Sequence, residues 1–63
     1  MIDLGEIKAC MARHDHKQKD VADILGLCIN AVNLKLNGKY DFTVQELATL
    51  AKNYDVDIKL FIK

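Results

Sequence analysis

The sequence predicts one small all-α domain built from four or five helices. Apolar residues recur at spacings of three and four, glycines and short polar residues interrupt these runs, and proline is absent. With 63 residues, 51% of them hydrophobic, the chain has room for one folded unit, which we take to be residues 1–63. Because so small a core leaves little space for a deep pocket, we expect no enzyme, no cofactor and no small-molecule substrate.

The first two helices follow from this periodicity and from the residues at their ends. An apolar stripe predicts a first helix that ends near Arg13, and Asp15 with Gln18 three positions later has the spacing of a capping box for a second helix. We expect the inward positions of the first helix to be Ile2 or Leu4, Ile7, Cys10 or Met11, and His14, and those of the second to be Val21, Ala22 and Leu25.

A glycine and an Asn-Gly pair delimit the third helix. Gly26 can adopt a positive φ without steric cost, so it ends the second helix and lets the third begin within a few residues. Asn37 and Gly38 then stop the third helix. We expect its buried positions to be Leu27, Val32 and Leu36, and its solvent side to carry Ile29, Asn30, Asn33 and Lys35.

The fourth helix has the clearest local signature in the chain. Thr43 and Glu46 form a Thr-x-x-Glu capping box that runs directly into an apolar stripe. The inward residues of that stripe are expected to be Val44, Leu47, Leu50, Ala51 and Tyr54.

The C-terminal residues leave two structures open. Asp55 can take a left-handed turn, and Asp57 can cap a last short helix that carries Ile58, Phe61 and Ile62. The apolar residues Ile58, Leu60 and Ile62 also alternate with their neighbours, which is equally compatible with a terminal strand.

The second and third helices together predict a helix-turn-helix, with the small residue Ala22 where the two helices touch. Plain helical hairpins share this geometry, so it does not by itself indicate DNA binding. The wider pattern resembles the lambda-repressor-like helix-turn-helix family of Cro and phage repressors. The matching residues are Lys17 to Leu27, Val32, the stop Leu36-Asn37-Gly38-Lys39 and Thr43 to Phe61, and the most specific of them are Gln18, Ala22, Gly26 and that stop.

This resemblance implies a sequence-specific, Cro-like transcriptional repressor of a phage or prophage, whose third helix enters the major groove of double-stranded DNA. Carried over residue by residue, the base contacts are Gln18, Cys28, Ile29, Asn30 and Asn33, and the phosphate contacts are Lys17, Lys19, Lys35, Asn37 and Lys39. The amide of Gln18 can also bond phosphate and support the recognition helix. The two asparagines can present a paired donor and acceptor to adenine.

Four positions depart from the family pattern. Cys28 stands where relatives usually have a serine or threonine cap, so we expect the third helix to start less firmly. Ile29 replaces a polar or basic side chain and could contact a thymine methyl, pack sideways or join a protein interface. Met11 stands in place of a frequent arginine, and Lys17 in place of a frequent threonine cap.

The charge of the chain is balanced overall, with nine basic and nine acidic residues. Residues 17–39 contain four lysines and two aspartates, which leaves a local charge of plus two. So small a footprint predicts weak binding by a monomer and a shallow salt dependence. We therefore expect a homodimer on two half-sites, with the C-terminal segment around Ile58, Phe61 and Ile62 as its interface, although burial of these residues inside the monomer is equally open.

The main alternative is a protein-interaction module, such as an antirepressor or a repressor partner, that uses Ile29, Leu34 and the C-terminal apolar residues. A zinc site with the ligands Cys10, His14, His16 and Cys28 is disfavoured, because the chain has no Cys-x-x-Cys or His-x-x-x-His pair and Cys10 falls at a core position. Catalysis by His14 beside Asp15 is disfavoured because no nucleophile accompanies them.

The sequence also bears on the compartment. The longest apolar run is far shorter than the roughly 20 residues that span a bilayer, and the acidic residues Asp3 and Glu6 stand where a secretory leader needs positive charge. We therefore expect a cytoplasmic protein with no membrane association. In that reducing compartment a disulfide between Cys10 and Cys28 is disfavoured.

Overall fold

Four α-helices and a 3₁₀ turn follow one another along the computed structural model, which describes residues 1–63. They are α1 (Leu4–Arg13), α2 (Gln18–Leu25), α3 (Ile29–Leu36), α4 (Val44–Tyr54) and a C-terminal 3₁₀ turn (Ile58–Phe61). The only β pairing is an isolated antiparallel bridge between Ile2 and Ile62. The predicted all-α class with four or five helices is therefore confirmed.

The connection between α1 and α2 differs from the prediction. Helix α1 ends at Arg13 as expected, but Asp15 and Gln18 do not form a capping box. Asp15 has a φ of 54°, which is incompatible with the extended backbone that an N-cap residue needs. Lys17 is extended instead and precedes α2, and its N–H donates to the carboxylate of Asp20 over 2.8 Å.

Gly26 makes the turn between α2 and α3 as predicted. Its φ of 69° and ψ of 31° lie in the left-handed region, and its N–H donates to the carbonyl of Ala22. A Cβ at this position would meet no atom within 4 Å, so the requirement for glycine is conformational and not steric. Cys28 precedes α3 without a side-chain cap, in line with the weak start expected for a thiol.

The capping box of α4 is confirmed in both directions. Thr43 Oγ1 accepts from the N–H of Glu46 over 3.1 Å, and the Glu46 carboxylate accepts from the N–H of Thr43 over 2.9 Å. Helix α4 ends at Asp55, which takes the predicted left-handed conformation with a φ of 55°.

Both C-terminal alternatives contribute to the structure. Asp57 caps the 3₁₀ turn by accepting from the N–H of Lys59 over 2.9 Å. Directly after this turn, Ile62 forms the antiparallel bridge with Ile2. Backbone hydrogen bonds on either side of the bridge join the two ends of the chain. The segment is therefore a short helical turn followed by a single strand-like pair.

A core of thirteen buried residues joins all of these elements. Its members are Ile7, Cys10, Met11, Val21, Ala22, Val32, Leu36, Phe42, Leu47, Leu50, Ala51, Tyr54 and Phe61. Two predicted inward positions are wrong: Val44 is 74% exposed, because the core begins one turn further along α4, and His14 is exposed because α1 ends before it. Leu25 and Leu27 are only half-buried.

Packing in the core determines which helix face remains free. Helix α2 packs against both α3 and α4, and the 3₁₀ turn packs against α1 and α4. Since Val32 and Leu36 hold α3 from the inside, its opposite side faces solvent. None of the helices has the length and apolar character needed to cross a membrane.

Candidate nucleic-acid interface

The outer face of α3 carries most of the predicted base-contact residues. Ile29 is 51% exposed, and Cys28, Asn30 and Asn33 are exposed with it. These positions lie in or just before the first turns of α3. The structure therefore brings four of the five predicted residues to an accessible helix surface.

Gln18, the fifth predicted base-contact residue, is tied to this surface by a chain of amides. Asn33 Nδ2 donates to Gln18 Oε1 over 3.3 Å, and Asn37 Nδ2 donates to Asn33 Oδ1 over 3.1 Å. The first bond joins the start of α2 to the middle of α3, in line with the predicted support of the recognition helix by Gln18. The second bond was not anticipated, although the spacing of four between Asn33 and Asn37 places them on one helix face.

These bonds distinguish the two asparagines chemically. A side-chain amide offers two N–H donors and two acceptor lone pairs. Asn33 already uses one of each within the chain, whereas the side chain of Asn30 makes no hydrogen bond. Asn30 is therefore the residue on this face with its full hydrogen-bonding capacity available.

Three of the four predicted phosphate-contact lysines surround the face. Lys17 and Lys19 lie at the start of α2, and Lys39 follows α3. All three are exposed and none forms an ion pair. Their ammonium groups are free to meet an anionic partner.

Lys35 behaves differently, and the prediction that it lies on the solvent side is wrong. Its side chain is only 14% exposed, and Nζ lies 2.7 Å from Glu46 Oε1. Nζ also lies 3.3 Å from the carbonyl oxygen of Asp41 and 5.7 Å from the ring centroid of Phe42. The sequence could not reveal this pair, since Glu46 lies in another helix with no helical spacing to Lys35.

Glu46 is held as a carboxylate by these contacts. Burial alone would raise its pKa, but hydrogen bonds from Lys35 and from the N–H of Thr43 outweigh burial, so the pKa of Glu46 lies below its usual value. The same carboxylate thus caps α4 and binds the last turn of α3.

An aromatic cluster fixes the segment before α2. His16 Nδ1 and the Tyr54 hydroxyl share a hydrogen bond of 3.0 Å, and the rings of His14 and Tyr54 lie 4.8 Å apart between centroids. Burial raises the pKa of Tyr54. The sequence does not predict this contact with Tyr54: it indicates His14 as an inward residue of the first helix and both histidines as disfavoured metal ligands. No group of three or more histidine, cysteine or acidic side chains is placed to hold a metal ion.

The C-terminal segment is mostly committed to the monomer core. Phe61 is fully buried and Ile58 half-buried, so Phe61 is not accessible to a second subunit as the dimer prediction required. Leu60 and Ile62 remain about half exposed. Cys10 is buried and Cys28 exposed, and both are free thiols.

Helices α2 and α3, joined by the tight Gly26 turn, form a helix-turn-helix within a small helical domain, and the polar side of α3 is exposed. A family profile described as the BetR domain matches residues 6–62, and the chain therefore belongs to the BetR domain family. This membership agrees with a regulatory role, while the specific likeness to Cro and phage repressors stays a prediction. No curated protein and no solved structure gives a significant match to the chain.

Proposed function

We propose that this BetR domain is a sequence-specific transcriptional regulator that reads operator DNA with the outer face of α3. The observation that carries the proposal is the exposed set of Ile29, Asn30 and Asn33 on a helix that Val32 and Leu36 anchor in the core. An α-helix with its side chains is about 10–12 Å in diameter, which suits a major groove about 12 Å wide.

The side chains on this face suit different parts of a base pair. Asn30, with a free amide, can pair with N6 and N7 of adenine, and Ile29 can contact the methyl group of thymine. Asn33 keeps one donor and one acceptor, so it contributes a single bond while Gln18 holds its orientation. Cys28 lies at the edge of the face and marks its N-terminal limit.

Phosphate contacts come from both ends of this helix pair. Lys17 and Lys19 approach the backbone from the start of α2, while Asn37 and Lys39 approach it from the end of α3. We leave Lys35 out of this set, because its ammonium group is already paired with Glu46.

Two copies on neighbouring half-sites compensate for the few charges of one domain. Three free lysines give a monomer low affinity at moderate salt, and a dimer doubles the phosphate contacts. Ile62 and Leu60 supply exposed apolar surface for such a dimer without disturbing the buried Phe61. A regulator of this size acts as a Cro-like repressor by occupying the operator and blocking polymerase.

Selection of duplexes from a random-sequence DNA pool tests the proposed function. The wild-type chain should enrich a recurring motif, and an Asn30→Ala chain should lose the preference at one base pair of that motif. Asn53→Ala is the matched control, since Asn53 is an exposed asparagine on α4 and is not among the residues proposed to contact DNA. Failure of the wild-type chain to bind any duplex at low salt would contradict the proposal.

A second candidate function is a protein-interaction module on the same fold. The observation that favours it is the 51% exposure of Ile29 at the start of α3, beside the polar side chains of Asn30 and Asn33, together with the zero net charge of the chain. The two functions differ in salt dependence, since DNA binding weakens as salt displaces phosphate contacts, whereas contact between apolar surfaces does not weaken with added salt.

A further inference from the structure

The ion pair between Lys35 and Glu46 is the most enclosed charged contact in the molecule. The two side chains are 14% and 16% exposed, and their charged atoms lie 2.7 Å apart. The other ion pair, between Arg13 and Glu6, joins two residues of the same helix and leaves the guanidinium side 58% exposed. Only the Lys35–Glu46 pair ties two different helices together.

Three contacts converge on the ammonium group of Lys35. It reaches Glu46 on α4, the carbonyl oxygen of Asp41 in the connecting segment, and the face of the Phe42 ring. Glu46 meanwhile accepts from the N–H of Thr43 and so forms the N-terminal cap of α4. The last turn of α3 is thereby held to the rigid first turn of α4.

We infer that Lys35 and Glu46 are positioning residues that set the angle of α3 on the domain and so determine how strongly the chain prefers its own operator over other DNA. This inference rests on the proposed function. It means that Lys35 affects DNA binding by orienting α3 and not by contacting a phosphate group.

The physical reason is the directionality of the contact. Apolar packing by Val32 and Leu36 holds α3 to the core but tolerates small rotations and shifts, because it has no preferred direction. Charge-assisted hydrogen bonds require particular distances and angles, so they restrict those movements. Base readout needs side chains placed to within a fraction of an ångström, whereas contacts to phosphate tolerate looser placement.

The test compares two affinities for each variant. One is for the duplex most enriched by the wild-type chain, the other is for random-sequence duplex of the same length, and both are measured over a range of salt. The variants are Lys35→Met, Glu46→Gln and the double variant, with Lys39→Met as the contrast for a true phosphate contact. Circular dichroism at the assay temperature establishes that each variant is folded, and the double variant avoids an unpaired carboxylate in the interior.

A positioning role predicts that Lys35→Met lowers the preference for the selected duplex about tenfold and leaves the salt dependence on random duplex unchanged. Glu46→Gln should also lower the preference for the selected duplex. The loss of its negative charge alone would have a different effect, which is to strengthen binding to all DNA. The double variant should lose no more than Lys35→Met. Lys39→Met should weaken both duplexes alike and reduce the salt slope by about one.

Two results overturn the inference while leaving the proposed function intact. One is a Lys35→Met chain that behaves like Lys39→Met on both duplexes. The other is a Glu46→Gln chain that binds both duplexes more tightly with unchanged preference. A wild-type chain without any sequence preference overturns the proposed function and this inference together.

Discussion

Asn33 on α3 donates a hydrogen bond to Gln18 at the start of α2, and this bond joins the two helices of the motif outside their apolar contact. This hydrogen bond lies on the exposed side of the helix pair. Because it is directional, it restricts the relative orientation of the two helices, in addition to the apolar packing of Ala22 and Val32 in the core. Asn33 is engaged in this bond, whereas the side-chain amide of Asn30, on the outer face of α3, makes no hydrogen bond. The following predictions use this division of roles.

Asn30→Ala should reduce affinity for the selected duplex by about 1–3 kcal/mol and relax the preference at one base pair. The reason is the loss of a bidentate contact to one base. Fluorescence anisotropy on duplexes that differ at single positions measures the effect. Equal losses on every sequence would assign Asn30 to the phosphate backbone instead.

Gly26→Ala should destabilise the domain by about 1–2 kcal/mol, because alanine is strained at a φ of 69°. Gly5→Ala is the matched control, since Gly5 lies in the first turn of α1 and an added Cβ makes only an ordinary contact, 3.4 Å from Asp3 Oδ1. That control should be neutral or stabilising by up to about 1 kcal/mol. Urea unfolding compares the two, and similar effects at both glycines would argue against the strained turn.

Thr43→Ala should cost about 1 kcal/mol of unfolding free energy, since it removes the acceptor for the N–H of Glu46 at the start of α4. Thr49→Ala serves as control, because the Thr49 hydroxyl only donates to a carbonyl within the helix, that of Gln45. Thermal unfolding followed by circular dichroism distinguishes them. If Thr49→Ala lowered the unfolding free energy as much as Thr43→Ala, the Thr43 cap would make no specific contribution to stability.

The stability of the domain should fall on acidification through loss of the Glu46 contacts. The pKa of Glu46 in the folded chain lies below 4.5, the value it has without these contacts, so its stabilising contribution is complete above 4.5 and is lost as the pH falls through the lower folded value. Glu46→Gln should flatten this part of the curve of unfolding free energy against pH. An unchanged acid limb in the variant would show that Glu46 is not the group responsible.

Phe61→Ala should lower the unfolding free energy by about 3–5 kcal/mol and leave a domain of this size largely unfolded, because the side chain is fully buried in the core.

Ile62→Ser should keep the fold and weaken self-association, since Ile62 is about half exposed. Sedimentation equilibrium measures this self-association. A variant that dimerises as well as the wild-type chain would exclude Ile62 from the interface.

Local rules predicted most of the helix boundaries. Gly26, the Asn37-Gly38 stop and the Thr43–Glu46 box each act through their own backbone within a few residues, so their effect can be read from sequence. The start of α2 was missed because the capping carboxylate comes from Asp20, inside the helix, and not from the residue that precedes it.

Tertiary contacts were the part that the sequence could not predict. Lys35 has the spacing of a solvent-side residue, yet its side chain folds over Phe42 towards Glu46 in a different helix. Phe61 lies on the apolar face in the helical pattern and on the opposite face in the strand pattern, and only the assembled core decides that it is buried. The sequence therefore predicts the residues of the site along the helix-turn-helix, but not the hydrogen bonds and the ion pair that divide them into residues that read bases and residues that position α3.

Mapping of backbone amide signals by NMR, with and without the selected duplex, is the most direct measurement of where DNA binds. The signals of Ile29, Asn30 and Asn33 and of the start of α2 should shift on binding, while those of α1 stay in place. Shifts confined to α1 and the C-terminal turn, with α3 unchanged, would contradict a reading role for α3.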